Sequence, residues 1–257
     1  MSNRCHLATS VTRRAVLSTH VPSQTGVRGW PMRSAACLTR ESFRWFWAAI
    51  VRSFSAPCSR SRRGRFGLLF IDGHADFYQP AANPNGEAAS MDLAFATGYG
   101  PALLTDLEHR GPLVRPTDTV AFGFRDADEQ YQYGSQPLAA DILALDLTTV
   151  RQMGVERAMQ AALDRLTRPE MEGFLIHLDA DCLDDRIMPA VDYRLPDGFS
   201  WSDVTSILRV AVGSRRAVGM EVTIYNPALD EDRRAGRELT NVLVAALGTS
   251  ASGSTTE

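Results

Sequence analysis

Short runs of consecutive apolar residues recur along the chain, each about the length of a β-strand that is buried on both faces. Three runs are clear, at residues 67–72 (GLLFID), 119–124 (TVAFGF) and 173–178 (GFLIHL). A fourth run, at residues 218–224 (VGMEVTI), is weaker. Because parallel sheets are covered by helices on both faces, these runs predict strands of a parallel sheet.

Helical patterns lie between and after these runs. Residues 150–166 and 239–247 carry apolar residues at helical spacing. Another helix is predicted to begin at Ser200, a typical N-cap residue, because Asp203 follows three positions later and apolar residues then recur on one helix face. Strands that alternate with helices predict an α/β fold.

Composition divides the chain. Its 257 residues are 44% hydrophobic, which is enough for one sizeable core. The net charge is only −3, yet twelve of the 27 basic residues lie in residues 1–66 beside a single acid. We therefore distinguish an atypical arginine-rich head (1–66), a globular domain (67–247) and a small polar tail that we expect to be disordered (248–257). The four cysteines show no CxxC spacing and no apolar stretch is of membrane-spanning length, so we expect a cytoplasmic protein.

Acidic residues and a histidine follow two of the predicted strands. Asp72, His74 and Asp76 end the first run, and Asp179 and Asp181 end the third. Alternate residues of an extended segment share one face, so each set can converge on one point. Carboxylates at the end of an apolar strand are costly unless they meet a cation. Four carboxylates and one imidazole suit a divalent metal ion such as manganese.

Two other residues of the predicted strands each have two interpretations. His177 alternates with Asp179 on its strand, and it is either a metal ligand or a hydrogen-bonded neighbour of one. Glu221 lies among apolar residues on the fourth run, where it is either salt-bridged or a contact for a cationic substrate.

A loop rich in Pro, Gly, Asn and Ala follows the first strand, at residues 79–100. Ligands bind at the carboxyl ends of strands in α/β sheets, so we expect this loop on the active side. By position alone, Asn83, Asn85 and Glu87 are candidates to contact the far end of a substrate.

Three motifs in this order resemble those of the arginase/agmatinase/formiminoglutamase (ureohydrolase) family. The segment DGHAD at residues 72–76 is similar to the family's DAHxD motif, and HLDADCLDD at 177–185 is similar to SxDxDxxDP. The segment GMEVTIYNP at 219–227 resembles xExNP. Together the motifs extend the resemblance over roughly residues 66–247, and three motifs in the same order are far more specific than one.

The resemblance implies a three-layer α/β/α fold and an enzyme with two Mn²⁺ ions per subunit that hydrolyses the C–N bond of a linear guanidino or amidino compound. It implies that Asp72 and Asp179 bridge the two ions. His74 and Asp181 would serve one ion, Asp76 the other, and Glu221 would bind the guanidinium. It also implies a homo-oligomer.

The chain departs from the family pattern in three places. Where the family often has a proton-shuttling histidine, this chain has ASMDL at residues 89–93, so either Asp92 takes that role or no residue does. Asp185 stands where the family has proline. A GGDHS-like segment that supplies one more ligand to the first metal is missing from residues 1–66.

The head has two interpretations. It has the Arg-rich, acid-poor composition of a targeting peptide. Alternatively, it is translated off-frame: with suitable codons, a shifted reading of residues 44–54 gives PVVLGGDCSIL, a strand followed by a GGDxS motif. The nucleotide sequence of this region decides between them.

If the head is genuine, the first metal is expected to bind weakly and activity to be low, which leaves a non-catalytic family member with a partial metal site as the alternative function. The head contains tryptophans among its arginines, but it shows no nucleic-acid-binding motif. We therefore expect neither nucleic acid nor a membrane as partner.

Overall fold

The computed structural model describes residues 64–83, 86–106, 109 and 111–248. Nearly all of the predicted head lies outside the described residues, as does the tail after residue 248. The off-frame segment proposed for residues 44–54 also lies outside them.

A five-stranded parallel sheet forms the centre of the described fold. Its strands are β1 (Phe66–Ile71), β2 (Thr119–Phe122), β3 (Leu143–Leu145), β4 (Gly173–Asp179) and β5 (Ala217–Thr223). The strand order is β3-β2-β1-β4-β5. The chain first builds outward from β1 through β2 to β3 and then returns to place β4 on the other side of β1. Such a reversal opens a crevice at the carboxyl ends of the two central strands.

Helices connect the strands. The α-helices are α1 (Asp92–Ala96), α2 (Ala102–Thr105), α3 (Ala127–Tyr133), α4 (Leu147–Met153), α5 (Val155–Leu166), α6 (Trp201–Gly213) and α7 (Arg234–Leu247). Short 3-10 turns occupy Pro80–Ala82, Ala89–Met91, Pro116–Asp118, Ala180–Cys182 and Pro227–Leu229. No helix in the described part of the chain is both long and apolar enough to span a membrane.

Each face of the sheet has its own core, because alternate residues of a strand point to opposite faces. Leu69 and Ile71 of β1 pack in a cluster with buried residues of α4 to α7. Leu68 and Phe70 pack on the opposite face with Leu93 of α1 and neighbouring residues. The predicted α/β fold with a covered parallel sheet is therefore confirmed, and β1, β2 and β4, which the clear apolar runs predicted, are buried almost throughout.

Most predicted elements begin or end within two residues of the observed ones. The Ser200 cap is confirmed: its side chain accepts the backbone N–H of Asp203, whose carboxylate accepts the N–H of Ser200 in return. The helix predicted at residues 150–166 is instead two helices. They meet at Gly154, whose φ of 82° is incompatible with a continuous right-handed helix.

Candidate metal centre

The acidic clusters predicted from the sequence meet at the carboxyl ends of β1 and β4. Asp72 directly follows β1, and Asp179 is the last residue of β4. A cavity of about 320 Å³ opens beside them. Its wall includes one histidine and five carboxylates, namely His74, Asp76, Asp92, Glu129, Asp179 and Asp181. No arginine lies among the described residues that line it.

A tight backbone contact joins the two clusters. The N–H of Gly73 donates to Asp181 Oδ1 at 3.1 Å, and the N–H of His74 donates to Asp72 Oδ1 at 2.7 Å. A Cβ atom at Gly73 would lie 2.7 Å from the carbonyl oxygen of Asp181. Glycine is therefore required at residue 73 for the segments after β1 and β4 to approach so closely.

A charged pair after β2 supports this contact, and the sequence interpretation missed it. Arg125 Nη2 donates to the carbonyl oxygens of Asp181 at 3.0 Å and Leu183 at 3.2 Å. Asp126 Oδ1 accepts the N–H of Ala75 at 3.1 Å. The signal was present, since Arg125 and Asp126 immediately follow the apolar run 119–124 on the active edge of the sheet.

One group of possible metal ligands consists of Asp72, His74 and Asp181, whose ligand atoms lie within 4.8 Å of one another. His74 Nδ1 is 3.1 Å from Asp181 Oδ2 and 3.6 Å from Asp72 Oδ1. Burial disfavours the charged imidazole, but its hydrogen bonds to Asp181 and Asp72 outweigh burial and raise the pKa of His74 to about 12. The two carboxylates thus strongly favour a positive charge at this point.

A second group consists of Asp72, His177 and Asp179, all of them buried and again with ligand atoms within 4.8 Å. Asp72 belongs to both groups. Its Oδ2 atom and the Nε2 atom of His177 have no hydrogen-bond partner. Buried polar atoms rarely stay unpaired, so these two atoms are suited to bind a metal ion. Carboxylate and imidazole donors fit divalent cations such as Mn²⁺.

Like charges make the carboxylate cluster costly by itself. Burial, together with the charges of Asp181 and Asp72, raises the pKa of Asp179 well above its usual range. Burial and the charge of Asp72 also raise the pKa of Asp181, although His74 opposes them. A bound cation would favour the ionised form of these carboxylates.

Asp76 and Asp92 line the cavity but belong to neither group. Asp76 has a φ of 44°, a left-handed conformation that aspartate adopts more readily than most residues and that is found at functional sites. Asp92, the first residue of α1, is buried. Burial and the charges of Asp72 and Glu221 raise the pKa of Asp92 to about 8, despite the opposing charge of His177.

Glu221 is not among the described residues that line the cavity. It pairs in register with His177 across β4 and β5, and its Oε1 atom is 2.9 Å from His177 Nδ1. Asn226, from the same motif, donates to Asp192 Oδ1 at 3.2 Å and its N–H bonds to the carbonyl of Ala190. It thereby connects the end of β5 to the loop that follows β4.

The candidates for the far end of a substrate differ in position. Asn83 lines the cavity and its Nδ2 atom donates to the carbonyl oxygen of Glu87 at 2.5 Å. The carboxylate of Glu87 accepts the hydroxyl of Tyr193, whose ring packs edge-on against His74 with centroids 6.4 Å apart. Asn85 lies outside the described residues. No sequence signal indicated Tyr193, because its position depends on the path of a loop.

Comparisons with known proteins agree with the motifs. A model of the Arginase family matches residues 47–252. Arginase from Staphylococcus aureus (strain MRSA252) is 24% identical over 174 residues, which are 67% of this chain and 56% of that protein. This chain therefore matches little more than half the length of that relative.

Solved structures show the same fold. The crystal structure of arginase from Bacillus subtilis superposes with a TM-score of 0.63 at 23% identity, over 72% of this chain and 62% of that one. A hypothetical agmatinase from Burkholderia thailandensis superposes with a TM-score of 0.54 at 18% identity, over 80% of this chain and 55% of that one.

Proposed function

Because the chain belongs to the arginase family, we propose that it is a manganese-dependent hydrolase that cleaves the C–N bond of a linear guanidino or amidino compound. One observation carries the proposal: two groups of possible metal ligands share Asp72 at one edge of an acidic cavity. Two bound cations would lower the pKa of a water molecule and stabilise negative charge as it develops on the substrate.

The ligand assignment follows the family motifs. We propose that Asp72 and Asp179 bridge the two ions and that His74 and Asp181 hold one of them. Asp76 is assigned to the other ion by its motif position. Its left-handed backbone and its place on the cavity wall support a functional role, although it belongs to neither ligand group.

The cavity favours a planar cationic substrate. No arginine lies on its described wall, and Glu129 there is assigned neither to a metal ion nor to proton transfer, so the wall offers a free carboxylate to a guanidinium or amidinium. A carboxylate binds such a cation through two parallel hydrogen bonds. The family resemblance gives this role to Glu221, but Glu129 is better placed for it because it lines the cavity.

Asp92 can move a proton. In the metal-free protein the Asp92 carboxyl, with a pKa of about 8, carries a proton at neutral pH, and a bound cation would lower this pKa. We propose that Asp92 donates this proton to the leaving nitrogen and regains one from solvent. Asp92 would thereby replace the histidine that is often found in the family.

The alternative is a non-catalytic member with a partial metal site. The absence of a GGDHS-like segment before residue 67 favours it. Both functions predict metal binding, so turnover separates them. Location in the cytoplasm and self-association stay predictions.

The test is product release by the purified full chain loaded with Mn²⁺. Urea would be measured with arginine, agmatine and guanidinobutyrate, and formamide with formiminoglutamate. We expect turnover of one compound, and a loss of at least about 100-fold in kcat/KM for Asp181→Asn. The matched control is Asp197→Asn, because the Asp197 side chain is 77% exposed and lies on a loop. Metal binding without release of either product would establish the non-catalytic alternative.

A further inference from the structure

His177 occupies the middle of a row of three side chains across the sheet. It pairs in register with Phe70 of β1 on one side and with Glu221 of β5 on the other. Its ring is stacked on that of Phe70, with centroids 4.4 Å apart and planes 3° apart. The residue is 2% exposed, so its neighbours fix both the position and the plane of the imidazole.

The two ring nitrogens of His177 have different surroundings. Nδ1 is 2.9 Å from Glu221 Oε1, a hydrogen-bonding distance. Nε2 has no hydrogen-bond partner, and the nearest carboxylate oxygen in an ion-pair contact, Asp72 Oδ2, is 3.7 Å away and also unpartnered. A carboxylate can only accept, so Glu221 holds a proton on Nδ1. Burial disfavours the charged imidazole, but the carboxylates of Asp72 and Glu221 outweigh burial and raise the pKa of His177 well above its usual range, so a metal ion at Nε2 would displace the proton there.

Asp179 completes the surroundings of Nε2. It lies two residues after His177 on β4, and therefore on the same face of the strand. Its Oδ2 atom accepts the hydroxyl of Thr223 at 2.9 Å and its Oδ1 atom accepts the N–H of Asp181, which hold the carboxylate in place. An imidazole nitrogen and two fixed carboxylates thus converge at one buried point.

We propose that His177 Nε2 is a ligand of the second metal ion, together with Asp72 and Asp179, and that Glu221 is a positioning residue that orients the imidazole. This inference rests on the proposed function, since it concerns the same metal centre. A histidine whose second nitrogen donates to a carboxylate is a common arrangement in metal sites, and it makes the ligand more basic. At this position the family motif SxDxDxxDP has serine. The imidazole of His177 is therefore a ligand that the family motif does not supply. This chain also lacks the GGDHS-like segment, which supplies one more metal ligand in the family.

The competing explanation needs no metal. A protonated His177 could form ion pairs with Glu221 and Asp72 and serve only to stabilise the sheet. In that case, the affinity for metal ions would not depend on His177.

The experiment is calorimetric titration of the metal-stripped full chain with Mn²⁺, in parallel with electron paramagnetic resonance. We expect two ions per wild-type chain and the spectrum of a magnetically coupled pair. His177→Ser should retain one ion, bound by the His74 group, and show the signal of isolated Mn²⁺. His109→Ser is the matched control, because the His109 side chain is 97% exposed; it should bind two ions as the wild type does.

Glu221 is tested through graded substitutions. Glu221→Gln can still accept a hydrogen bond from Nδ1, whereas Glu221→Ala cannot, so affinity for the second ion should fall further in the alanine variant. Losses of about 10–100-fold are typical when such a supporting carboxylate is removed. His177→Asn repeats the comparison with a larger polar side chain than serine, so the result does not depend on whether one variant folds.

The outcomes distinguish a failure of this inference from a failure of the proposed function. Two ions bound by His177→Ser and His177→Asn with unchanged affinity would overturn the assignment of His177 while leaving the proposed function intact. A wild-type chain that binds no Mn²⁺ would overturn the proposed function and this inference together.

Discussion

At the scale of single residues, Asp92 shows how the site combines burial with charge. Its side chain lies on the wall of a cavity yet is only 6% exposed, and its Oδ1 atom has no hydrogen-bond partner. In the metal-free protein, an ionised Asp92 would lie near the carboxylates of Asp72 and Glu221. The folded chain therefore retains a proton on Asp92 that the unfolded chain would release.

The stability of the metal-free protein should reflect this proton. The folded pKa of about 8 lies above the unfolded value of about 3.9, so the contribution of Asp92 to stability is full below pH 4 and is lost as the pH rises toward 8. Asp92→Asn removes this loss. We expect its free energy of unfolding, relative to wild type, to increase by about 1–3 kcal/mol between pH 5 and pH 8.

Urea unfolding at several pH values measures this difference. Asp128→Asn is the control, because Asp128 is exposed and should show a difference that changes little with pH. A flat difference for Asp92→Asn over the same range would show that Asp92 ionises normally in the folded chain.

The sequence predicted part of the site at this scale. Asp72, His74, Asp179 and Asp181 were predictable as a cluster, because each pair follows a buried strand and alternate residues share a face. The partner of Glu221 was not predictable. It depends on the register between β4 and β5, which places Glu221 opposite His177 and which no local pattern in the sequence encodes.

At the scale of elements, a buried ion-pair cluster connects the starts of three strands at the edge opposite the site. Asp118 directly precedes β2 and is fully buried. Arg65, which directly precedes β1, donates Nε and Nη2 to its two carboxylate oxygens at 2.7 Å each. Arg168, from the loop before β4, contacts the same carboxylate. The cluster thus holds the amino ends of the three strands together.

Asp118→Asn should destabilise the fold without touching the cavity. It would leave the guanidinium groups of Arg65 and Arg168, each 30% exposed, with only the more exposed carboxylate of Glu170, at a cost of about 2–4 kcal/mol at pH 7. Burial raises the pKa of Asp118, but the hydrogen bond from Arg65 outweighs burial and lowers it below its usual value. The stabilisation is therefore present above the unfolded pKa of about 3.9 and is lost as the pH falls through the folded pKa.

Urea unfolding of Asp118→Asn at pH 7 and near pH 3 measures both effects. The destabilisation should shrink at the lower pH, while Mn²⁺ stoichiometry at pH 7 should equal that of the wild type. A loss below about 0.5 kcal/mol at pH 7, typical of an exposed site, would contradict the structural role of this cluster.

Two features limited the prediction of the elements: the short length of β3 and the glycine between α4 and α5. Apolar runs predicted the four longest strands. The strand β3 has only three residues, of which one is buried, so no comparable apolar run indicated it. The break between α4 and α5 was missed because residues 150–166 keep a helical spacing on both sides of Gly154. Only the left-handed backbone of that glycine distinguishes two helices from one.

At the scale of the whole molecule, one edge strand of the described sheet carries partly exposed apolar residues. β5 is an edge strand among the described residues, and Val218 and Val222 on it are 50% and 37% exposed. The chain also spans only 56% of the length of the Staphylococcus aureus arginase that it matches. The two candidate ligand groups nevertheless lie at the carboxyl ends of β1 and β4, and the cavity beside them is also lined by residues of α3 and β5, all within the described residues.

The central claim is that this sheet edge holds two metal ions that share Asp72. Anomalous diffraction at the manganese absorption edge, from crystals of the full chain grown with Mn²⁺, tests it most directly. We predict two peaks, one beside His74 and Asp181 and the other beside His177 and Asp179, with Asp72 contacting both. A single peak, or none at this edge of the sheet, would contradict the account.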